Sequence, residues 1–344
     1  MSRDDRLRLA FVGLHPARHR DLVARHRTAG AVLEAIRAGG VDGVPPAIVR
    51  APSECLAAVE EAGAETVFLG DGGYPAWLAG IGDPPDVLFV RGRLPDRMGV
   101  GVVGTRRCTG YGRALATGYG RAIAAAGWAL VSGLARGIDA TAQRAAVEAG
   151  GSSVAVLGCG VDIVYPRENA DLTTAILDGG GAVISEYPPG AHPLGWRFPP
   201  RNRIISGLSA AVVVVESAVR GGALVTAARA AEQGRAVFAV PGDVGRPASV
   251  GCNLLIRDGA GPVLDPADLV EALSLVLGPP AAAPVTATAE QPEMFAQTGV
   301  PVDEFGAALG LHGSELLALL GRLELEGKVR REGDLVMPAF EGGR

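Results

Sequence analysis

The chain has 344 residues, 48% of them hydrophobic and 20% charged, which excludes a disordered polypeptide and leaves room for two or three domains with buried cores. Its four cysteines, Cys55, Cys108, Cys159 and Cys252, stand alone without a CxxC pair or a nearby histidine cluster; this argues against structural zinc and a disulfide framework and suits a reducing compartment. The formal net charge is −5, no basic-then-apolar leader opens the sequence, and no apolar run reaches the roughly 18–20 residues of a membrane span, so a soluble, cytoplasmic protein is expected.

Residues 1–95 read as a small helical domain, with helices near 31–38 and 55–63 and a Pro- and Gly-punctuated stretch from Tyr74 to Arg93. From 96 to 277 short apolar runs alternate with alanine-rich segments. The runs at 99–103, 129–132, 154–157, 182–185, 211–215 and 236–240 do not alternate with polar residues, as expected of strands buried on both faces. Segments 113–126, 140–148 and 224–233 are long enough for helices between them. Strand–helix alternation with short connections predicts an α/β domain, an extended Rossmann-like, doubly wound and mostly parallel sheet. A Pro-, Ala- and Thr-rich linker follows over 278–295. Within 296–344, helices at 302–309 and 313–326 precede a strand–turn–strand, the pattern of a winged-helix domain.

Charge is unevenly placed. Residues 99–265 hold 15 arginines against 12 carboxylates, a net of +3, whereas the remainder of the chain carries −8. Lysine occurs once, as Lys328, so nearly every cation is a guanidinium suited to bidentate phosphate contacts. The segment 296–344 is itself −3, which suits a protein partner better than DNA.

In an open parallel sheet, ligands bind beyond the carboxyl ends of the strands. Gly104, Thr105, Arg106 and Arg107 follow the first predicted strand, and Ser132, Gly133 and Arg136 lie at and after the second. Arg220, Gly221 and Gly222 open the helix after the fifth, where free N–H groups favour an anion. Phe198, Arg201, Asn202 and Arg203 form an aromatic and cationic loop between the fourth and fifth, fit to stack a base and grip a backbone. Together they predict a phosphate-binding rim.

Gly99, Gly101 and Gly104 formally match GxGxxG, but the first two lie inside the strand and Ser132 stands where a dinucleotide site needs an acid. No P-loop sequence is present, and no cofactor or metal is expected. Asp139 reads as a helix cap or loop organiser, Glu216 as an anchor for an arginine or a turn, and no catalytic residue is assigned.

Blocks 104–106, 132–139, 155–169, 185–190, 198–205, 222–227, 240–243 and 251–260 resemble, in order and spacing, the DprA/Smf family; residues 74–88 and the C-terminal 302–304 and 323–327 extend the likeness. The resemblance implies a SAM-like N-terminal domain, a Rossmann-like DNA-binding domain and a winged helix. It also implies a dimeric protein that binds incoming single-stranded DNA in natural transformation and loads RecA onto it, using Gly104–Arg106 and Phe198, Arg201 and Arg203. Gln143, Gly195, Gly221 and Cys252 depart from the family's usual residues. The alternatives are a nucleotide phosphoribohydrolase-like enzyme using Glu216 or Asp139, for which the ProGlyGly-x-GlyThr-like loop is missing, and a transcription regulator acting through the winged helix.

Overall fold

A computed structural model describes residues 2–278, 300–309, 313–325, 329–333 and 335–338, which fall into two units, 1–283 and 284–344. The first unit begins with α1 (Arg3–Phe11), α2 (Pro16–His26), α3 (Ala29–Arg37) and α4 (Pro52–Glu61), followed by β1 (Glu65–Phe68), the single turn α5 (Ala76–Ala79) and β2 (Val87–Gly92). Alternation then sets in with β3 (Gly99–Val103), α6 (Gly110–Ala125), β4 (Leu130–Ser132), α7 (Ile138–Glu148), β5 (Ser153–Leu157), α8 (Ala170–Asp178) and β6 (Ala182–Ser185). It continues through α9 (Phe198–Gly207), β7 (Ser209–Val214), α10 (Gly222–Glu232), β8 (Ala236–Ala239), α11 (Val250–Arg257), β9 (Gly261–Pro262) and α12 (Pro266–Leu277).

The strands form one nine-stranded sheet in the order β1-β2-β6-β5-β4-β3-β7-β8-β9. Every neighbouring pair from β6 to β9 is parallel, and only β1–β2 and β2–β6 are antiparallel. Each central strand divides its side chains between two cores. Val103, Val131, Val156 and Val214 pack with Ile204, Ile205 and Ala227 on one face. Val100, Val102, Leu130 and Val213 pack with Tyr119, Ile123 and Leu269 on the other. Two-sided burial is why these runs are continuously apolar. Chain order reverses between β3 and β7, which makes their carboxyl ends the switch point.

Three expectations change. The boundary at 95 does not divide the first unit, because β1 and β2 belong to the sheet: Phe89 pairs with Ser185 and Val90 with Ile184. The segment 198–203 is not a loop but the start of α9, with proline in the first turn, where the missing N–H costs nothing. Helices α1 and α2 were not anticipated. Helix α1 serves two cores, with Leu7 and Phe11 against the sheet and Leu9 among the N-terminal helices, so no single apolar stripe marks it. Helix α2 is rich in arginine and is capped by His15, whose Nδ1 accepts from Ala17 N–H.

In the second unit, β10 (Val300–Pro301), α13 (Val302–Leu309), α14 (Gly313–Leu325), β11 (Val329–Glu332) and β12 (Leu335–Pro338) form helix, helix and hairpin, with the sheet order β10-β12-β11. Phe305, Leu316, Leu320, Val329 and Val336 are its core, as expected of a winged helix. The linker after Gly278 and the junction at 310–312 lie outside the described residues.

Candidate nucleic-acid interface

The loops after β3, β4, β5 and β7 meet α9 and the N-terminus of α10 around a cavity of about 460 Å³ at the switch point. Backbone bonds tie the loops together. Thr105 N–H donates to the Glu216 carbonyl (2.8 Å), and Ile138 N–H donates to the Thr105 carbonyl (3.3 Å). Close packing demands glycine at two points: a Cβ on Gly104 would lie 2.5 Å from Ile138 Cγ1, and one on Gly137, at φ +77°, would lie 2.3 Å from the Thr105 carbonyl oxygen.

Buried polar groups hold the β4 loop. Ser132 Oγ donates to the Val102 carbonyl (2.6 Å), and Gly133 N–H donates to Asp139 Oδ2 (3.2 Å). Leu134, at φ +54°, donates its N–H to Gln143 Oε1 (3.0 Å), while Gln143 Nε2 donates to Ser153 Oγ (3.1 Å) and the Val154 carbonyl (3.3 Å). An uncharged amide with one acceptor and two donors satisfies this place fully, so Gln143 is structural. Glu216 is also structural: its carboxylate accepts from Thr109 N–H (2.9 Å) and Oγ1 (2.6 Å), fixing the start of α6. Asp139 proves a loop organiser rather than a cap, since Gly137 holds the cap position.

The two arginines of α9 point inward, where they cannot act as loose phosphate grips. Arg201, 4% exposed, donates Nη1 to the carbonyls of Gly133 (2.9 Å) and Val156, and Nε to Asn202 Oδ1 (3.3 Å). Burial lowers its pKa to about 10, with Asp139 the largest opposing influence. Burial likewise raises the Asp139 carboxyl, and Arg201 is first among the groups that oppose it. Arg203, 3% exposed, is held by Asp83 (3.1 Å) and Glu186 (2.7 Å) and does not line the cavity. Ser132 is fully buried and lies outside the lining as well.

Of the two α9 arginines, only Arg201 reaches the cavity wall, where it joins other residues. Phe198 is half-buried, stacked at a tilt on Tyr165 (centroids 5.5 Å, 38°), with the Arg106 guanidinium 5.7 Å from its centroid and that of Arg201 at 5.9 Å. Gly158 makes room for this ring: a Cβ there would be 2.9 Å from Phe198 Cδ1. Gly104, Thr105, Arg106, Phe198, Arg201, Asn202 and Gly222 all line the cavity, joined by Tyr165, Ser217 and Thr226, which the sequence reading did not select. Arg107 is exposed but outside the lining. Arg136 and Gly133 line a smaller adjoining hollow of about 60 Å³, and Arg136 is engaged by Glu168 through two 2.7 Å contacts. Among the described residues no carboxylate pairs with the exposed Arg106, Arg107 or Arg220. The free Arg106 guanidinium, an aromatic face and the first N–H groups of α10 thus meet at one opening, a combination that suits anionic, base-bearing chains.

An open α/β sheet with a cationic, aromatic cavity at its switch point defines a Rossmann-like protein. The sequence model of the family described as DNA recombination-mediator protein A matches residues 65–274, and that of the DprA winged helix domain matches 278–334. The chain belongs to this DprA/Smf family. It is 41% identical over 268 residues to Protein Smf of Escherichia coli (strain K12), covering 74% of this chain and 72% of that protein. It is 42% identical over 221 residues to DNA processing protein DprA of Bacillus subtilis (strain 168), covering 63% and 74%. Among solved structures, DprA from Streptococcus pneumoniae superposes with a TM-score of 0.67 at 32% identity, covering 79% of this chain and 98% of that one.

Proposed function

We propose that the protein binds single-stranded DNA in the switch-point cavity, carries out no chemistry on it, and delivers it to a RecA-type recombinase. The observation that carries this reading is the unpaired Arg106 guanidinium over the half-buried Phe198 ring at the mouth of that cavity. A base stacks on the ring while Arg106, Arg107 and the α10 N-terminus meet phosphates, giving tight binding with little sequence preference. Binding is favoured over catalysis because the two central carboxylates are committed: Glu216 to Thr109 and Asp139 to Gly133 N–H. The family description as a recombination mediator supports the hand-over step. On this reading the protein works as a homodimer in the cytoplasm; no helix among the described residues is long and apolar enough to cross a membrane.

The test is fluorescence anisotropy of a labelled oligothymidine, with unlabelled duplex as competitor. Phe198→Ala weakens binding about 10-fold, the scale of one lost base–aromatic stack, and Arg106→Glu combined with it nearly abolishes binding. Unchanged affinity in the double variant, or equal preference for duplex, refutes the reading. Failure of the wild-type protein to speed RecA assembly on DNA coated with single-strand-binding protein refutes the delivery step alone.

A further inference from the structure

The cavity does not account for the exposed Trp196. Trp196 is 41% exposed, although buried Trp128 shows how readily this fold takes in an indole. It sits in the single turn Gly195–Arg197 just before α9, and Pro193 and Gly195, on its N-terminal side, line the cavity, so the indole stands at the rim. Three contacts fix it: the Tyr187 ring meets it edge-on (6.0 Å, 88°), the His15 ring lies tilted beside it (5.6 Å, 34°), and the Arg197 guanidinium is 5.1 Å from its centroid.

His15 is also the cap of α2, so the indole leads directly onto that helix. Residues 15–27 carry four arginines against a single Asp21, a net of +3 in the part of the chain that is otherwise acidic. Arg20 is held by Asp83, and Arg18 donates to the Asp42 carbonyl. Arg25 and Arg27, near the far end, are exposed, and among the described residues no carboxylate pairs with them. The rise from His15 to Arg25 is about 15 Å, long enough for a strand to lie along it.

We propose that single-stranded DNA leaving the cavity stacks a base on Trp196 and runs along α2, which makes the N-terminal helices a second DNA-binding surface. This rests on the reading of the cavity given above. A 41% exposed indole braced on Tyr187, His15 and Arg197 presents aromatic surface to a base, and the arginines beyond it supply backbone contacts without reading sequence.

The experiment compares the full chain with oligothymidines of about 5 and about 20 nucleotides, spanning the range of single-strand site sizes. Trp196→Ala is expected to weaken the long probe about 10-fold and leave the short one unchanged, whereas Trp196→Phe retains most of the long-probe affinity. Arg25→Glu with Arg27→Glu weakens the long probe alone. The long probe quenches wild-type indole fluorescence, and the quench vanishes in Trp196→Phe. If neither probe is affected by these variants, or both are weakened alike, the second surface is refuted while the cavity reading stands on the short probe. If the wild-type protein binds neither probe, both readings fall.

Discussion

The sharpest test separates two arginines that look equivalent in sequence but that the fold uses oppositely. Arg106 is exposed beside the cavity, and Arg203 is 3% exposed between Asp83 and Glu186. On the proposed binding mode, replacing Arg106 with Gln removes one phosphate contact, a charge-assisted bond whose loss costs about 10-fold in affinity at low salt. It also removes one released counterion, so the slope of log K against log salt flattens by about 0.7. Between about 50 and 200 mM salt, the gap between wild type and variant then closes by about 2.5-fold. Replacing Arg203 with Gln instead leaves Glu186, with its Oε2 already buried and unpartnered, and Asp83 without their cation. That costs about 3 kcal/mol of stability, partly relieved because Asp83 is 29% exposed and can rehydrate. For a unit of this size the melting temperature falls by about 6–12 °C while the salt slope stays at its wild-type value. Anisotropy across a salt series, with calorimetry on the same samples, reads both quantities. The assignment is refuted if Arg203→Gln flattens the slope and leaves the melting temperature alone.

Three further outcomes follow from the same geometry. His19 Nε2 is buried without a partner, and burial holds its pKa below the ordinary 6.5 despite Asp86 at 3.9 Å. The unfolded chain therefore takes up that proton first as pH falls: stability is intact above 6.5 and lost below it, and His19→Asn should flatten this loss in urea titrations from pH 7 to about 5. Burial pushes the thiols of Cys159 and Cys252 up to about 12 and raises that of Cys55, so alkylation at neutral pH should mark the half-buried Cys108 first by mass spectrometry; early labelling of Cys159 would contradict the packing. Gly137→Ala combines a left-handed φ with a 2.3 Å approach to the Thr105 oxygen, and should cost about 3 kcal/mol in denaturant unfolding and weaken DNA binding with it; a neutral effect would contradict the loop geometry.

Much of the sheet domain was legible because its strands are buried on both faces and therefore stand out as continuous apolar runs. The strands at 99–103 and 182–185 fall where the runs do, and the helix starts at Gly110 and Gly222 lie within three residues of their predicted places. Turn chemistry placed Gly104 and Gly222 at one rim; packing demands glycine at Gly104, where a Cβ would lie 2.5 Å from Ile138, whereas a Cβ on Gly222 would meet nothing within 4 Å. The first two glycines of the GxGxxG pattern lie in the strand, as expected: a Cβ on Gly101 in β3 would come within 3.0 Å of Ser209 and Val212, so sheet packing accounts for glycine there.

Only the tertiary structure decided which cations are free. Arg201 and Arg203 look like phosphate ligands until α9 turns them inward onto partners remote in sequence: Gly133 and Val156 for the first, Asp83 for the second, the last 120 residues away. A local pattern carries no record of such distant acceptors, and a guanidinium with five donors is satisfied equally well by carbonyls or by phosphate. The antiparallel strands β1 and β2 were hidden for a related reason: β2 is held by pairing with β6 across about 90 residues of chain, and β1 by pairing with β2, rather than by any periodicity of their own. What the sequence determined by itself was the sheet, its glycine turns and the arginine-rich composition of the rim. The sorting of those arginines into buried props and exposed, unpaired cations came from burial, because the cost of removing a charge from water is set by neighbours that only folding brings together.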